Sequence, residues 1–185
     1  IAHVGGGMRG EFNLRFGQPS KDVCYIIPEL FPFTDTEQKD TVTGKEGGLL
    51  DRMTSQGKVP KIMFTNSSAE YWRGDAALIH TNIEDNSDAP EHPNVRRYHF
   101  SGTQHGSGKY PLETVRESDS VRGNLPFNGI NYTPILRGCL TNMNNWIKGE
   151  NDPPASSHPR HEDGTAIETK DVIGKFSKIP GIRLP

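Results

Sequence analysis

The chain has 185 residues, the length of one domain, and its net charge at pH 7 is −2. Only 32% of the residues are hydrophobic, and no stretch approaches the roughly 20 apolar residues of a membrane-spanning helix. The 21 basic residues are scattered and do not form the stripe typical of a nucleic-acid-binding protein. Composition therefore excludes a membrane span and gives no support to a nucleic-acid partner. The low apolar content suggests long surface loops, or a core completed by residues outside this chain.

Short regular segments and long irregular ones alternate in the first part of the chain. Residues 1–4 have the composition of a strand, so we expect the chain to be part of something larger. Residues 28–48 are rich in Pro, Asp, Thr and Gly, and loops of this length in compact domains are usually binding loops or lids. With residues 9–22, this excursion is predicted to cover a pocket; a plain surface loop is the alternative. Residues 49–57 fit one short helix.

A strand–helix–strand unit follows. Residues 61–66 form an apolar run, and residues 95–101 alternate apolar and polar side chains. Between them, residues 70–80 place apolar side chains at helical positions, and Ser67 and Ser68 are suitable capping residues. Two strands joined through a helix are typical of a βαβ unit, which predicts a parallel sheet and an α/β fold.

The most regular helix is predicted at residues 133–148. Thr133 is a suitable N-cap, Pro134 fits the first helical position, and a glycine follows the end. Apolar residues recur every three or four positions, so this helix should lie flat on the sheet. The Pro-punctuated residues 150–185 are predicted as an extended tail, which divides the chain into a core, residues 1–149, and that tail.

Two groups of potentially reactive side chains are better explained as structural or solvent-exposed residues than as catalytic or metal-binding ones. Cys24 and Cys139 lie in apolar segments, so buried free thiols are favoured over a disulfide. His158, His161 and Asp163 could ligate a metal, but a proline between the histidines favours extended chain and a solvated tail. No metal or other cofactor is therefore predicted.

The strongest chemical signal lies at the ends of the two predicted strands. Glu70 follows the first strand and His105 follows the second. Parallel strands about 4.8 Å apart end at the same sheet edge, where α/β proteins place their ligands, so these side chains are expected to meet. A carboxylate bonded to one imidazole nitrogen leaves the other as a general base. Glu70 as a plain first-turn carboxylate, Asp75 or another nearby carboxylate as the acid, and His105 as an ordinary loop histidine stay open.

Other aromatic residues near this edge receive structural assignments. His99 is expected on the surface of its strand, and His80 at a helix end is expected to interact with the helix dipole. Trp72 and Trp146 are predicted in the core. Because it lies two residues beyond Glu70, Trp72 is also a candidate substrate-binding residue.

Four segments resemble one set of bacterial alpha/beta-hydrolase-domain proteins. They are GGGMRGEFNLRFGQPSKD, KIMFTNSSAEYWRGDAALIHT, NVRRYHFSGTQHG and PILRGCLTNMNNWIKGENDPPASSHPRHEDGT. The resemblance covers most of the chain, with EYW and GTQH as its more specific blocks. It implies the C-terminal half of an alpha/beta-hydrolase sheet with flanking helices and long loops, with residues 1–149 in the hydrolase core. By this resemblance Glu70 is the triad acid and His105 the triad base.

One departure from the hydrolase pattern decides what the chain is expected to do alone. The fold reads Ser, then Asp or Glu, then His, yet no G-x-S-x-G pattern occurs here, and Ser107 between two glycines follows His105. We therefore expect the nucleophile and the oxyanion donors outside this chain, and the isolated chain to be inert toward esters and poorly soluble. The hypothesis is a carboxylic-ester hydrolase whose partners are a small-molecule ester and the rest of the same polypeptide. The alternative is a non-catalytic binding or scaffolding domain of the same fold.

Overall fold

A computed structural model gives the fold of most of the chain. The residues it describes are 1–6, 31–74, 76–117 and 120–182. The predictions for residues 9–22, Cys24 and Asp75 therefore lie outside the described residues.

Short strands and four α-helices make up the regular structure of the described part. The strands are β1 (Ala2–His3), β2 (Gln38–Lys39), β3 (Glu46–Gly47), β4 (Ile62–Ser67), β5 (Val95–Phe100), β6 (Val115–Arg116) and β7 (Val121–Arg122). The helices are α1 (Asp51–Ser55), α2 (Ser68–Arg73), α3 (Thr133–Lys148) and α4 (Thr169–Phe176), with a 3-10 turn at Ala77–Ile79. The predicted strands and the helix at residues 133–148 are confirmed within a few residues.

The central sheet has the order β1–β4–β5 within the described residues, and both pairings are parallel. Ile62 of β4 lies opposite Val95 of β5, and the register runs to Ser67 opposite Phe100. The two strands therefore end side by side, as the βαβ pattern predicts.

The connection between β4 and β5 differs from the single helix predicted at residues 70–80. Helix α2 stops at Arg73 because Gly74 takes a left-handed φ of 81°, and its N–H bonds the carbonyls of Glu70 and Tyr71. A left-handed glycine is a common way to end a helix. The chain then continues as the separate 3-10 turn.

Each face of the sheet carries one apolar cluster, since successive side chains of a strand point to opposite sides. Met63 and Phe100 pack with Cys139, Met143 and Trp146 of α3 on one face. Leu50, Phe64, Ile79 and Val95 form the cluster on the other face. Helix α3 thus lies on the sheet as predicted, Trp146 is a core residue, and Cys139 is a buried free thiol. Thr133 is not the N-cap, because Tyr132 occupies that position.

The outer edge of β5 is covered by the C-terminal part of the chain. Ser157 forms a parallel bridge with Tyr98; its carbonyl accepts from His99 N at 2.8 Å, and its N–H donates to Arg97 O at 2.9 Å. On the opposite edge, β1 pairs only with β4 among the described residues. The prediction of an extended tail is wrong over Thr169–Phe176, which forms α4, and the division into core and tail stays a prediction.

The described part of the 28–48 excursion is anchored at its base. Its residues 38–47 contain the antiparallel pair β2–β3. Asp35 is buried and forms an ion pair with the equally buried Arg97 of β5, while its second carboxylate oxygen accepts from His92 N at 2.8 Å. Thr34 donates to Ile79 O at 2.6 Å. These contacts fix the excursion to β5 and the 3-10 turn, and its action as a lid stays a prediction.

Candidate functional site

Glu70 is held at the start of α2 by a capping box. Ser67 is the last residue of β4 and the N-cap of α2, and its side chain accepts from Ala69 N at 3.2 Å. In return, the Ser67 backbone N–H and hydroxyl both donate to Glu70 Oε2, each at 2.6 Å. The S-x-x-E spacing is the sequence signature of this motif. The strand end therefore fixes one oxygen of the carboxylate.

The second oxygen of Glu70 faces the imidazole of His105. Strand β5 ends at Phe100, Gly102 turns the chain with a φ of 73°, and His105 Nδ1 lies 2.7 Å from Glu70 Oε1. The side chain of Glu70 is 0% exposed, whereas that of His105 is 54% exposed. A buried carboxylate thus holds a ring that solvent or a substrate can reach.

The charge of Glu70 decides which nitrogen of His105 is the base. Burial alone would raise the pKa of the Glu70 carboxyl, but hydrogen bonds from Ser67 and His105 outweigh it, so this pKa lies below its usual value. The carboxylate is therefore ionised at neutral pH and can only accept from Nδ1–H. Neutral His105 then carries its proton on Nδ1, which leaves Nε2 able to take up another.

The loops after β4 and β5 are tied directly to each other. Ser68 N donates to Thr103 O at 3.1 Å, and Gly102 N donates to Ser68 Oγ at 2.9 Å. Ser68 Oγ also lies 3.0 Å from His99 Nε2. His99 is partly buried and packs against the ring of Tyr71, with centroids 4.5 Å apart, so the surface position predicted for it is wrong. This burial lowers the pKa of His99. Its contact with Ser68 helps to hold the two loops in register.

His80 is a buried neutral residue and not the dipole partner predicted from its place in the sequence. Its Nε2 lies 2.8 Å from the Tyr71 hydroxyl, and its ring stacks on His158 with centroids 4.5 Å apart. The pKa of His80 is lowered to about 3, chiefly because the ring is buried and in smaller part because His158 and Arg97 lie nearby. His158 is itself half-buried, so the solvated tail predicted for it is also wrong.

The depressed pKa of His80 predicts a loss of stability in mild acid. An unfolded histidine takes up a proton near pH 6.5 while folded His80 resists protonation to about pH 3. The contribution of neutral His80 to stability is therefore fully present above about pH 6.5, and the free energy of unfolding should fall by roughly 1.4 kcal/mol per pH unit from there down to about pH 3. His99 and His158, whose pKa values burial also lowers, should add to the slope. Urea unfolding of the intact polypeptide at several pH values measures this slope.

Two matched substitutions test whether His80 causes this loss of stability in acid. His80→Gln should flatten the acid limb, whereas His161→Gln, at an exposed position, should leave it unchanged. An acid limb equally steep in His80→Gln and the parent protein would contradict the assignment.

Trp72 lies apart from the Glu70–His105 pair. Residues two apart on a helix do not share a face, so Trp72 and Glu70 project from different sides of α2. The Trp72 ring is 42% exposed and packs edge-on against Phe176 of α4, with centroids 5.1 Å apart. Its predicted place in the core is wrong, and its role in substrate binding stays a prediction.

One contact at the site could not be read from the sequence. The hydroxyl of Tyr132 donates to the carbonyl oxygen of His105 at 2.6 Å. The two residues are far apart in the chain and share no motif, so only the packing of α3 on the sheet reveals the contact.

The described residues contain no group of three or more His, Cys, Asp or Glu side chains that could hold a metal ion. In the same part of the chain, no helix has the length and apolar character needed to cross a membrane.

Comparison with known proteins identifies the family. The family model of the alpha/beta hydrolase domain matches residues 19–185, which is most of the chain. Neither the curated proteins nor the solved structures gave a match. The parallel β1–β4–β5 sheet with helices packed against it agrees with the family fold. The chain belongs to the alpha/beta hydrolase domain family.

Proposed function

We propose that this domain supplies the acid and the base of a carboxylic-ester hydrolase that works through a Ser-Glu-His triad. The observation that carries the proposal is the 2.7 Å contact between Glu70 Oε1 and His105 Nδ1, which joins a buried carboxylate to an exposed imidazole. This is the relation between acid and base in serine hydrolases. The coarser conclusion, hydrolase-type function, is the one that the family membership suggests.

In the proposed reaction, His105 moves the proton in both half-reactions. A serine hydroxyl attacks the carbonyl carbon of the ester, and His105 Nε2 takes its proton. The imidazolium then gives that proton to the departing alcohol, and a water molecule releases the acid from the acyl-enzyme by the same route. Glu70 keeps the ring oriented and stabilises its cation. This chemistry requires no metal or organic cofactor.

The serine is proposed to lie outside residues 1–185. The acid follows β4 and the base follows β5, and an alpha/beta hydrolase places its serine earlier in the chain than both. No G-x-S-x-G pattern occurs in residues 1–185. Among the described residues, the edge of β1 that faces away from the acid-bearing strand β4 is unpaired, so a serine-bearing strand has a place to join the sheet beside β1.

Hydrolysis of p-nitrophenyl butyrate tests the proposal. The intact polypeptide that contains residues 1–185 should release p-nitrophenol, and His105→Ala should abolish the release. Residues 1–185 alone should be inactive, since they lack the proposed nucleophile. Activity of residues 1–185 alone that is lost in His105→Ala would overturn the external serine.

A second candidate is a non-catalytic binding or scaffolding domain, and the lack of a G-x-S-x-G pattern in these residues favours it. A fluorophosphonate probe discriminates the two functions, because it labels only an activated serine. Labelling of the intact polypeptide supports the hydrolase. No labelling and no ester hydrolysis would support the binding domain and end the proposal of an esterase.

A further inference from the structure

Tyr132 joins the first turn of α3 to the loop that carries His105. Its side chain is 8% exposed and packs against Phe100, with ring centroids 5.6 Å apart. Its hydroxyl donates to the His105 carbonyl oxygen at 2.6 Å. Burial and the nearby Glu70 charge raise the pKa of Tyr132, so the hydroxyl keeps the proton that it donates.

A second histidine, His3, lies on the other side of the Tyr132 hydroxyl from His105. His3 Nε2 lies 3.2 Å from the Tyr132 hydroxyl oxygen, and His3 Nδ1 lies 2.9 Å from Thr65 Oγ1 on β4. His3 also packs on the ring of Tyr132, with centroids 5.4 Å apart. These hydrogen bonds connect the first strand, the acid-bearing strand and the His105 loop.

The direction of this series of hydrogen bonds follows from its last member. A carbonyl oxygen can only accept, so the single Tyr132 proton is committed to His105. The Tyr132 oxygen must then accept from His3, which places the proton of neutral His3 on Nε2. His3 Nδ1 is left as an acceptor for the Thr65 hydroxyl.

We infer that Tyr132, held by His3, is a positioning residue for His105. The inference rests on the proposed function, because it assigns Tyr132 a task in that reaction. Glu70 fixes the imidazole at Nδ1, and Tyr132 fixes the backbone from which the ring projects. An imidazole that is more than half exposed has little packing to hold it, so these two attachments set where Nε2 lies.

Positioning of this kind affects the reaction more than it affects substrate binding. A small displacement of a catalytic group from its productive geometry costs rate, because the reacting atoms must approach to about 3–3.5 Å with aligned orbitals. Tyr132 contacts the backbone of the base and has no assigned contact with substrate. Its loss should therefore lower kcat and leave KM nearly unchanged.

Tyr132→Phe in the intact polypeptide tests the inference. The variant keeps the ring and removes only the hydroxyl, so kcat should fall about tenfold, the rate factor that corresponds to one lost hydrogen bond, with KM changed by less than about twofold. The His105 Nδ1–H proton, seen by NMR as a downfield resonance, should exchange with solvent several-fold faster.

Tyr98→Phe is the matched control. Tyr98 also donates its hydroxyl to a backbone carbonyl, that of Pro154, at 2.7 Å, but in a different loop. The kcat of Tyr98→Phe and the exchange rate of its His105 Nδ1–H proton should equal those of the parent protein. The inference would be overturned if Tyr132→Phe and Tyr98→Phe had equal effects. It would also be overturned if Tyr132→Phe changed neither kcat nor the exchange rate of the His105 Nδ1–H proton.

A double-mutant cycle tests the part assigned to His3. If His3 acts only through the Tyr132 hydroxyl, His3→Ala should lower kcat severalfold by itself and have no further effect in Tyr132→Phe. His3→Gln, which retains an N–H donor, should recover most of the loss. Independent, multiplicative effects of the two substitutions would exclude this role of His3.

The two readouts separate this inference from the proposed function. If the intact polypeptide hydrolyses no ester, the proposed function fails, and the exchange rate of the His105 Nδ1–H proton still decides whether Tyr132 holds the loop. If esters are hydrolysed and Tyr132→Phe changes neither kcat nor that exchange rate, the inference alone fails.

Discussion

Glu70→Gln is expected to lower the kcat of the intact hydrolase about 10⁴-fold, the size of effect seen when the acid of a serine triad becomes an amide. The amide oxygen can still accept from Ser67, which turns the amide nitrogen toward His105. An amide N–H donates where the carboxylate accepts, so it selects the imidazole tautomer protonated on Nε2. That nitrogen then cannot take the serine proton. Initial rates with p-nitrophenyl butyrate measure the loss.

The same substitution separates the proposed catalytic role of Glu70 from its structural role in the capping box of α2. Glutamine also fits the third helical position of a capping box, so Glu70→Gln should unfold at nearly the parent temperature. Glu70→Ala also removes the carboxylate half of the capping box and should cost about 1 kcal/mol of stability in addition to the activity. These results together would show that Glu70 has both roles that the sequence leaves open, the carboxylate at the start of a helix and the acid of the triad.

Asp75→Asn is the matched control for the identity of the acid. Asp75 is one of the nearby carboxylates that the sequence offers as an alternative acid, and its loss should leave kcat unchanged. Near-normal activity in Glu70→Gln together with a large loss in Asp75→Asn would transfer the acid role to Asp75.

Asp35→Ala is expected to lower the free energy of unfolding by roughly 3–5 kcal/mol, because it leaves a buried cation without its counter-charge. The guanidinium of Arg97 is surrounded by protein and also donates to Thr34 Oγ1, Ala89 O and Pro90 O. These neutral acceptors solvate the cation in part and cannot neutralise it. Urea unfolding of the intact polypeptide at neutral pH measures the change.

Glu46→Ala supplies the matched control for this ion pair. Glu46 pairs with Lys39 at 2.9 Å, and both side chains are about half exposed to solvent, so the loss of Glu46 should lower the free energy of unfolding far less than the loss of Asp35. A cost of Asp35→Ala as small as that of Glu46→Ala would show that water reaches Arg97 and that the excursion is not fixed to β5 by this pair.

The features of the fold that could be read from the sequence are those with a local cause. The apolar run of β4, the alternation in β5, and Pro134 with Gly149 at the ends of α3 are visible in short windows of sequence. The contact of Glu70 with His105 follows from one further rule, that parallel strands end at one edge. Their catalytic roles stay predictions.

The wrong assignments of burial for His80, His99 and Trp72 share a different cause, since each depends on a segment distant in the chain. His99 and His80 look like surface residues by type, but the loops and the C-terminal segment that carries His158 bury them. Trp72 looks like a core residue by type, yet it packs against the partly exposed Phe176 of α4 and remains 42% exposed. No periodicity in a single window encodes which remote segment covers a side chain.

Ser157 forms hydrogen bonds with the edge of β5 that faces away from β4. In the described part of the chain, a further strand can therefore join the sheet at one edge only. Among the described residues, a newly arriving strand can be accommodated beside β1 but not beyond β5. Misassembly between incompletely folded copies should therefore start at the N-terminal strand, because unpaired strand edges recruit one another. A native segment that docks against β1 would act at the same time as a structural neighbour and as protection against aggregation.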